Sequence, residues 1–256
     1  MKVMKMVRYL AFDGKFGDNY ERYGFTMPPS AMEVPQPEWN GNDILVMSGC
    51  VVKGIAPYLT NATVSALRSM GFSCNQVCKE KCCLRPPMFA YIPDDEKVKA
   101  REKMVCPFHS DELLCLCTGC AAEMSVIKER NTGTIDFLYE NMDRLPRTKE
   151  PLRLAIQTGC EVSGKRGQLT EIVERMGYVD VGNPMGCCGK DTKIAKDLMA
   201  DREKECQDAD AILAVCPKCF TEYDSYEGGR PVIFIMELVA MAFGDRSTLG
   251  FHRIKL

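Results

Sequence analysis

The chain contains 256 residues with a formal net charge of −2, and 46% of its residues are hydrophobic. This composition excludes general disorder, because there is ample apolar material for a core, and the lack of a basic excess argues against a nucleic-acid partner. Fifteen cysteines in a chain of this length indicate that sulfur has a specific chemical role.

No segment has the length and apolar character of a signal peptide or a membrane span. The longest apolar runs, 232–236 and 238–243, are separated by Glu237 and are much shorter than the roughly 20 residues that cross a bilayer. The sequence therefore predicts a cytoplasmic protein. Because disulfides are rare in the cytoplasm, the cysteines indicate metal binding rather than cross-links.

Residues 1–42 differ from the rest of the chain. Aromatic residues lie there among Gly, Pro and Asn, and prolines at positions 28, 29, 35 and 37 forbid a continuous helix. We expect an irregular N-terminal arm that packs either on its own domain or on a partner.

From residue 43 onward the chain is a repeat of two similar halves. Each half opens with a short apolar run ending in Gly-Cys, at 43–50 and at 152–160. A helix-like segment follows, at 60–72 and at 168–178, where apolar residues recur every three or four positions. A Cys-Cys pair, a second apolar run ending in C-x-x-C, and an apolar helix-like segment complete each half.

The alternation of strand-like and helix-like segments predicts an α/β fold of two pseudo-repeated, cysteine-rich domains. We expect these domains at 43–145 and 151–245, joined through the charged, proline-containing segment 143–151, with a C-terminal tail at 246–256. The cysteines fall at the carboxyl ends of predicted strands, where α/β folds bind ligands.

Each half places five cysteines in the same order, as Gly-Cys, Cys-Cys and C-x-x-C. A single C-x-x-C motif would suit zinc or a redox dithiol, and both zinc and a cubane [4Fe–4S] cluster take four ligands. Five thiolates, two of them adjacent, favour an extended cluster with several irons. The two sets are Cys50, Cys82, Cys83, Cys117 and Cys120, and Cys160, Cys187, Cys188, Cys216 and Cys219.

These motifs resemble those of a known family. GCCG at 186–189, VCPKC at 215–219 and TGC at 158–160 are similar to the cysteine-rich CCG domain. Two copies in one chain resemble the B subunit of heterodisulfide reductase, and the segment 231–244 is similar to the closing segment of that family. The first cysteine pair, in CCLRPPMF, lacks the glycine that follows the second pair.

The resemblance implies two α/β domains, each binding a noncubane [4Fe–4S] cluster at strand ends through the five cysteines named above. It implies an oxidoreductase that cleaves a thiol-derived disulfide, such as that of coenzyme M and coenzyme B, by two one-electron transfers. A flavin-containing subunit and a cubane iron–sulfur subunit are the implied partners, since the chain has no G-x-G-x-x-G fingerprint for binding a dinucleotide itself.

Two other functions stay open. A paralogue could hold the same clusters as an electron relay without a substrate of its own, as the N-terminal arm and the additional cysteines of the first half would allow. Alternatively, the C-x-x-C pairs could hold structural zinc.

The remaining cysteines and the histidines have less specific patterns. Cys74 and Cys78 closely precede the first Cys-Cys pair and are candidates for additional ligands. Cys106 and His109 form a C-x-x-H pattern for which a surface loop is the favoured interpretation. We expect Cys115 and Cys206 in the core and His252 in a solvated basic tail.

Gly49, Gly186 and Gly189 are candidates for close approach of the backbone to a bound group.

Overall fold

A computed structural model describes residues 44–77, 82–85, 90–105, 110, 112–127, 131–182, 186–189, 192–254 and 256. The predicted arm at 1–42, Cys78, Cys106 and His109 lie outside the described residues. The chain divides into two compact units with the boundary between Gly133 and Thr134.

The first unit is a parallel sheet with helices after its strands. Its four strands lie in the order β2-β1-β3-β4. Its elements are β1 (Ile44–Met47), α1 (Cys50–Ile55), α2 (Tyr58–Ser69), β2 (Cys74–Gln76), α3 (Asp94–Val105), β3 (Leu113–Cys115), α4 (Thr118–Met124) and β4 (Asn131–Gly133).

The second unit repeats this architecture. Its strands are also parallel, in the order β6-β5-β7-β8. Its elements are α5 (Thr134–Glu140), β5 (Arg153–Gln157), α6 (Arg166–Arg175), β6 (Val179–Gly182), α7 (Ala195–Glu205), β7 (Ala211–Ala214), α8 (Pro217–Asp224), β8 (Val232–Phe234) and α9 (Ile235–Ala242), with short 3₁₀ turns at Met142–Arg144, Ser163–Lys165 and Leu249–Phe251.

The predicted α/β class is therefore confirmed, and the two similar parallel sheets agree with the predicted pseudo-repeat of two domains. The inner strands β1, β3 and β7 are continuous apolar runs, as is typical of parallel strands that helices cover on both faces, whereas β5 begins with Arg153 and ends with Gln157. All four residues of β1 and of β7 are buried. The helices predicted at 60–72 and 168–178 correspond to α2 and α6, which begin two residues earlier and end three residues earlier.

Helix α5 belongs to the second unit, although its sequence closes the first repeat. It packs against α6, and Asp136 on α5 pairs with Lys165, which directly precedes α6. The buried side chains of α5 include Phe137 and Leu138.

The C-terminal tail is anchored to the second unit, and the expectation of a solvated His252 is wrong. His252 is 2% exposed, and its Nε2 lies 2.9 Å from the Glu237 carboxylate on α9. The Thr248 hydroxyl donates to the same carboxylate oxygen at 2.7 Å. A carboxylate buried in an apolar helix needs such partners, and the tail supplies them.

None of the helices within the described ranges is long and apolar enough to cross a membrane.

Candidate metal centres

The candidate ligands of the first unit follow neighbouring strand ends. Cys50 begins α1 just after β1, and Cys117 and Cys120 flank the start of α4 just after β3. Met47 at the end of β1 pairs with Cys115 at the end of β3, so both segments leave the same edge of the sheet.

All five thiols of the first set are linked by side-chain contacts. The Cys120 thiol donates to the Cys83 sulfur across 3.5 Å, and Cys120 also contacts Cys117. Cys82 contacts both Cys83 and Cys50. Cys82, Cys83 and Cys120 are buried, whereas Cys50 and Cys117 are half-buried. The structure therefore brings together the whole predicted set.

The second set is arranged in a similar way but is more open. Cys219 contacts both Cys188 and Cys216, and Cys160 lies within electrostatic range of Cys187 and Cys216. Cys188 and Cys219 are buried, Cys216 is half-buried, and Cys160 and Cys187 are exposed. One side of this set is thus accessible to a small molecule.

The packing of the thiols disfavours their ionisation. The hydrogen bond with Cys50, followed by burial, raises the pKa of Cys82 to about 12. At Cys219, hydrogen bonds with Cys188 and Cys216 and then burial raise the pKa of the thiol well above its ordinary value. Since thiolates are the metal-binding form, a bound cationic group is what would stabilise several of them side by side.

Within the described ranges, no three His, Cys, Asp or Glu side chains surround a point where a single metal ion could bind. In the first set, pairwise side-chain contacts connect Cys50 to Cys82, Cys82 to Cys83, Cys83 to Cys120 and Cys120 to Cys117.

Two equivalent glycines keep space free beside the thiols. Gly49 and Gly159 precede the first cysteine of their sets and have φ values of 82° and 74°. A Cβ at Gly49 would lie 3.2 Å from the Cys120 sulfur, and one at Gly159 would lie 3.6 Å from the Cys219 sulfur. A side chain at Gly49 would crowd the thiols, whereas one at Gly159 would be in ordinary van der Waals contact with them, and the positive φ disfavours a side chain at both positions. Of the other predicted glycines, a Cβ at Gly186 would meet the Arg202 guanidinium and one at Gly189 would meet Leu198 on α7, while the Gly189 N–H donates to the Cys187 sulfur at 3.4 Å.

Several polar side chains that support the cysteine segments are absent from our sequence predictions. Arg101 on α3 donates through Nε to the Cys83 carbonyl oxygen at 2.8 Å and pairs with Glu123 on α4. In the second unit, Gln157 donates through Nε2 to the Gly186 carbonyl oxygen at 2.6 Å and accepts from the Tyr223 hydroxyl at 2.8 Å. The sequence repeats Arg-Glu-Lys at 101–103 and 202–204. This repeat is the one sequence signal that could have indicated a structural role for Arg101.

Arg85 covers the C-x-x-C turn of the first unit. A Cβ at Gly119, between Cys117 and Cys120, would lie 3.1 Å from the Arg85 Cδ and 3.4 Å from its Cζ. The Arg85 Nε also lies 3.9 Å from a Glu123 carboxylate oxygen. The Arg85 side chain therefore lies against the C-x-x-C turn of this set.

Three other cysteines in the described ranges lie outside the two sets. Cys74 begins β2 opposite Ile44, at the edge of the sheet away from the thiols, so the structure separates it from the candidate ligands. Cys115 and Cys206 are buried, as predicted, with exposed fractions of 1% and 2%. The Cys115 thiol donates to Asn131 Oδ1 at 3.3 Å, and burial raises the pKa of Cys206 to about 11.

Comparisons with known proteins give one distant curated relative. The chain is 22% identical over 232 residues to the B subunit of fumarate reductase (CoM/CoB) from Methanothermobacter marburgensis. The aligned region covers 80% of this chain but only 47% of the relative, so the chain spans about half the length of that protein. No family model matches the chain.

Among solved structures, the chain is similar to the aspartate racemase of Picrophilus torridus. The alignment covers 84% of this chain and all of the racemase, with 15% identity and a TM-score of 0.40.

Proposed function

We propose that the chain is an iron–sulfur redox subunit that carries one [4Fe–4S] cluster in each unit. The observation that carries this proposal is the repeated set of five neighbouring thiols at the same edge of two equivalent parallel sheets. The distant similarity to one component of a reductase supports an oxidoreductase role.

The five cysteines of each set would hold the cluster, and their excess over four favours the noncubane form. Cys82, Cys83 and Cys120, buried in the first unit, would keep most of its cluster away from water. In the second unit, the exposed Cys160 and Cys187 would leave one side of the cluster open to a small molecule.

The reaction we propose is the reductive cleavage of a thiol-derived disulfide, such as that of coenzyme M and coenzyme B, or its reverse. Iron–sulfur clusters exchange single electrons, so two clusters together would supply the two electrons that this cleavage needs. The distant relative, whose name includes CoM/CoB, supports this class of substrate. The protein residues would shape the pocket and keep the thiolates in place.

We also propose that the chain works in a complex with a flavin-containing subunit and a cubane iron–sulfur subunit. The relative is named as one subunit of its reductase, which supports assembly with other proteins. The alternative is an electron relay with the same clusters and no disulfide substrate. The chain is only 22% identical to the relative and aligns with about half of it, so a difference in substrate between the two proteins is compatible with the comparison.

Metal analysis of protein prepared without oxygen tests the proposal. We expect about eight irons and eight sulfides per chain, which corresponds to one four-iron cluster in each unit. Cys83→Ala and Cys188→Ala should each lose one cluster. Cys206→Ala is the matched control, because Cys206 is also buried but lies outside both sets, and it should keep all the iron. Zinc with little iron or sulfide would contradict the proposal.

A second measurement separates catalysis from electron relay. Addition of the thiols or the disulfide should change the electron paramagnetic resonance spectrum if the substrate binds at the clusters. An unchanged spectrum in a protein with full iron content would favour the relay.

A further inference from the structure

We infer that Gln157 and Arg101 are positioning residues that each tie the Cys-Cys loop of their own unit to its C-x-x-C helix, by different chemistry. The inference rests on the proposed metal sites and concerns the residues that hold the ligands rather than the ligands themselves. Both side chains are buried and neither is a ligand candidate.

In the second unit, one amide connects the three segments that carry the ligands. Gln157 ends β5, three residues before Cys160, and is fully buried. Its Nε2 donates at 2.6 Å to the carbonyl oxygen of Gly186, the residue before Cys187. Its Oε1 accepts at 2.8 Å from the hydroxyl of Tyr223, one helical turn after Cys219 on α8. This neutral pair of hydrogen bonds, which we name the amide clamp, fixes the segments relative to one another.

Among its described residues, the first unit has no counterpart of the amide clamp. The positions equivalent to Gln157 and Tyr223 are occupied by Met47, three residues before Cys50, and Met124, four residues after Cys120. Both methionines are fully buried, and a thioether has no hydrogen to donate. These two side chains therefore fill the space without fixing the loop.

An ion pair ties the loop and the helix of the first unit together instead. Arg101 donates through Nε at 2.8 Å to the carbonyl oxygen of Cys83, and its Nη2 pairs with Glu123, the residue before Met124 on α4. The Arg101 side chain is 6% exposed and that of Glu123 is 21% exposed. The guanidinium thus bridges the Cys-Cys loop and the C-x-x-C helix, and we name this arrangement the arginine clamp.

Two independent clamps have a functional consequence. Residues that hold metal ligands in place without contacting the metal are normally required for full metal affinity. Their loss weakens metal binding by about 10- to 100-fold. Because the two clamps share no residue, each site can be weakened while the other stays intact. Gln157 and Arg101 therefore control two separate loading equilibria in one chain.

The experiment compares Gln157→Met and Arg101→Met in the full chain. Gln157→Met introduces the residue that the first unit has at this position, so the core has a precedent for it. We expect each variant to bind iron about 10- to 100-fold more weakly at one site, measured by competition with an iron chelator. The spectra of Cys188→Ala and Cys83→Ala identify which site is lost, because each variant removes a cysteine from only one of the two sets.

Matched controls separate positioning from general stability. Tyr223→Phe removes one hydroxyl from the amide clamp, whereas Tyr178→Phe removes an equally buried hydroxyl of the same unit, which donates to the Leu238 carbonyl oxygen at 3.4 Å. Only Tyr223→Phe should weaken the second site. Arg166→Met, which breaks the ion pair of Arg166 with Asp180, is the control for Arg101→Met and should leave both sites loaded.

The outcomes distinguish this inference from the proposed function. Iron at both sites of the wild-type protein, with unchanged affinity in Gln157→Met and Arg101→Met, would overturn the clamps alone. A wild-type protein without iron would overturn both. If Gln157→Met fails to fold, Tyr223→Phe decides: full iron affinity in this variant would overturn the amide clamp.

Discussion

Leu84 and Gly189 have the same left-handed backbone conformation. Each follows the second cysteine of its Cys-Cys pair, and their φ values are 57° and 70°. Among the described residues, Leu84 is the one non-glycine residue with positive φ. The first unit therefore keeps the turn of the second unit without its glycine. For a residue with a Cβ, this conformation costs roughly 1–2 kcal/mol.

This strain predicts an unusual order of stabilities at position 84. Glycine normally destabilises a protein relative to alanine, but here Leu84→Gly relieves the strain while Leu84→Ala keeps it. Both variants lose the packing of a side chain that is 7% exposed. We expect Leu84→Gly to be about 1 kcal/mol more stable than Leu84→Ala in denaturant unfolding. The opposite order would contradict a strained Leu84.

Arg85 should decide whether an alanine is tolerated at position 119. Gly119 lies inside α4, where alanine is favoured over glycine by about 1 kcal/mol. Its Cβ would collide with the Arg85 side chain, so Gly119→Ala should gain little or lose stability in the wild-type protein. In an Arg85→Ala background the same change should stabilise the protein by about 0.5–1 kcal/mol. A double-mutant cycle on unfolding free energies measures this coupling, and additive effects would contradict the contact.

The tail network around Glu237 should contribute substantially to the stability of the second unit. His252→Ala removes one partner of a carboxylate that has no exposed surface, so we expect a loss of about 1.5–3 kcal/mol in the free energy of unfolding. Arg246→Ala is the control in the same tail. It breaks an ion pair with Glu150 in which both side chains are more than half exposed, so its cost should stay below about 1 kcal/mol. If both changes lowered the free energy of unfolding by the same amount, burial would not strengthen the contacts of Glu237.

Asp224 should make the protein less stable as the pH rises. Burial raises the pKa of the Asp224 carboxyl above its ordinary value of 3.8, against the lowering effects of His252 and the backbone N–H groups of Ile254 and Arg253. The folded protein thus binds this proton more tightly than the unfolded chain, and stability falls as the pH rises above 3.8 through the raised pKa.

Asp224→Asn tests this pH dependence. The amide oxygen can still accept from the backbone N–H groups of Arg253 and Ile254, which the carboxylate now does at 2.9 Å and 3.4 Å. Relative to wild type, the variant should gain stability as the pH rises from acid to neutral, measured as the unfolding free energy at several pH values. A constant difference would show that the carboxyl titrates normally.

Local pattern was enough to predict most of the fold. The buried runs of β1 and β7 are apolar throughout because parallel strands are covered on both faces, and this gives a strong signal. The cysteines of each set could be assembled from sequence because Gly-Cys and C-x-x-C directly follow such strands. Strand β4 (Asn131–Gly133) has no apolar signal and is only half-buried, so its place at the sheet edge could not be predicted.

Long-range polar contacts could not be predicted in the same way. Gln157 is the last residue of an apolar strand, and its partners Gly186 and Tyr223 are 29 and 66 residues away. The expectation for His252 is wrong because a basic tail is typical of a solvated segment. Glu237 is the clue in the sequence: a carboxylate inside an otherwise apolar helix requires a buried partner from elsewhere in the chain.

Helix α5 ends the first repeat of the sequence but packs in the second unit. The boundary between the sequence repeats therefore lies one helix after the boundary between the units. A gene divided in the linker-like segment 143–151 would leave α5 on the first fragment, away from α6 on which it packs. The second fragment would lose the cover of α6 and the partner of Lys165, and the first would carry Phe137 and Leu138 without their present burial. Separate expression of the halves should therefore divide the chain before Thr134.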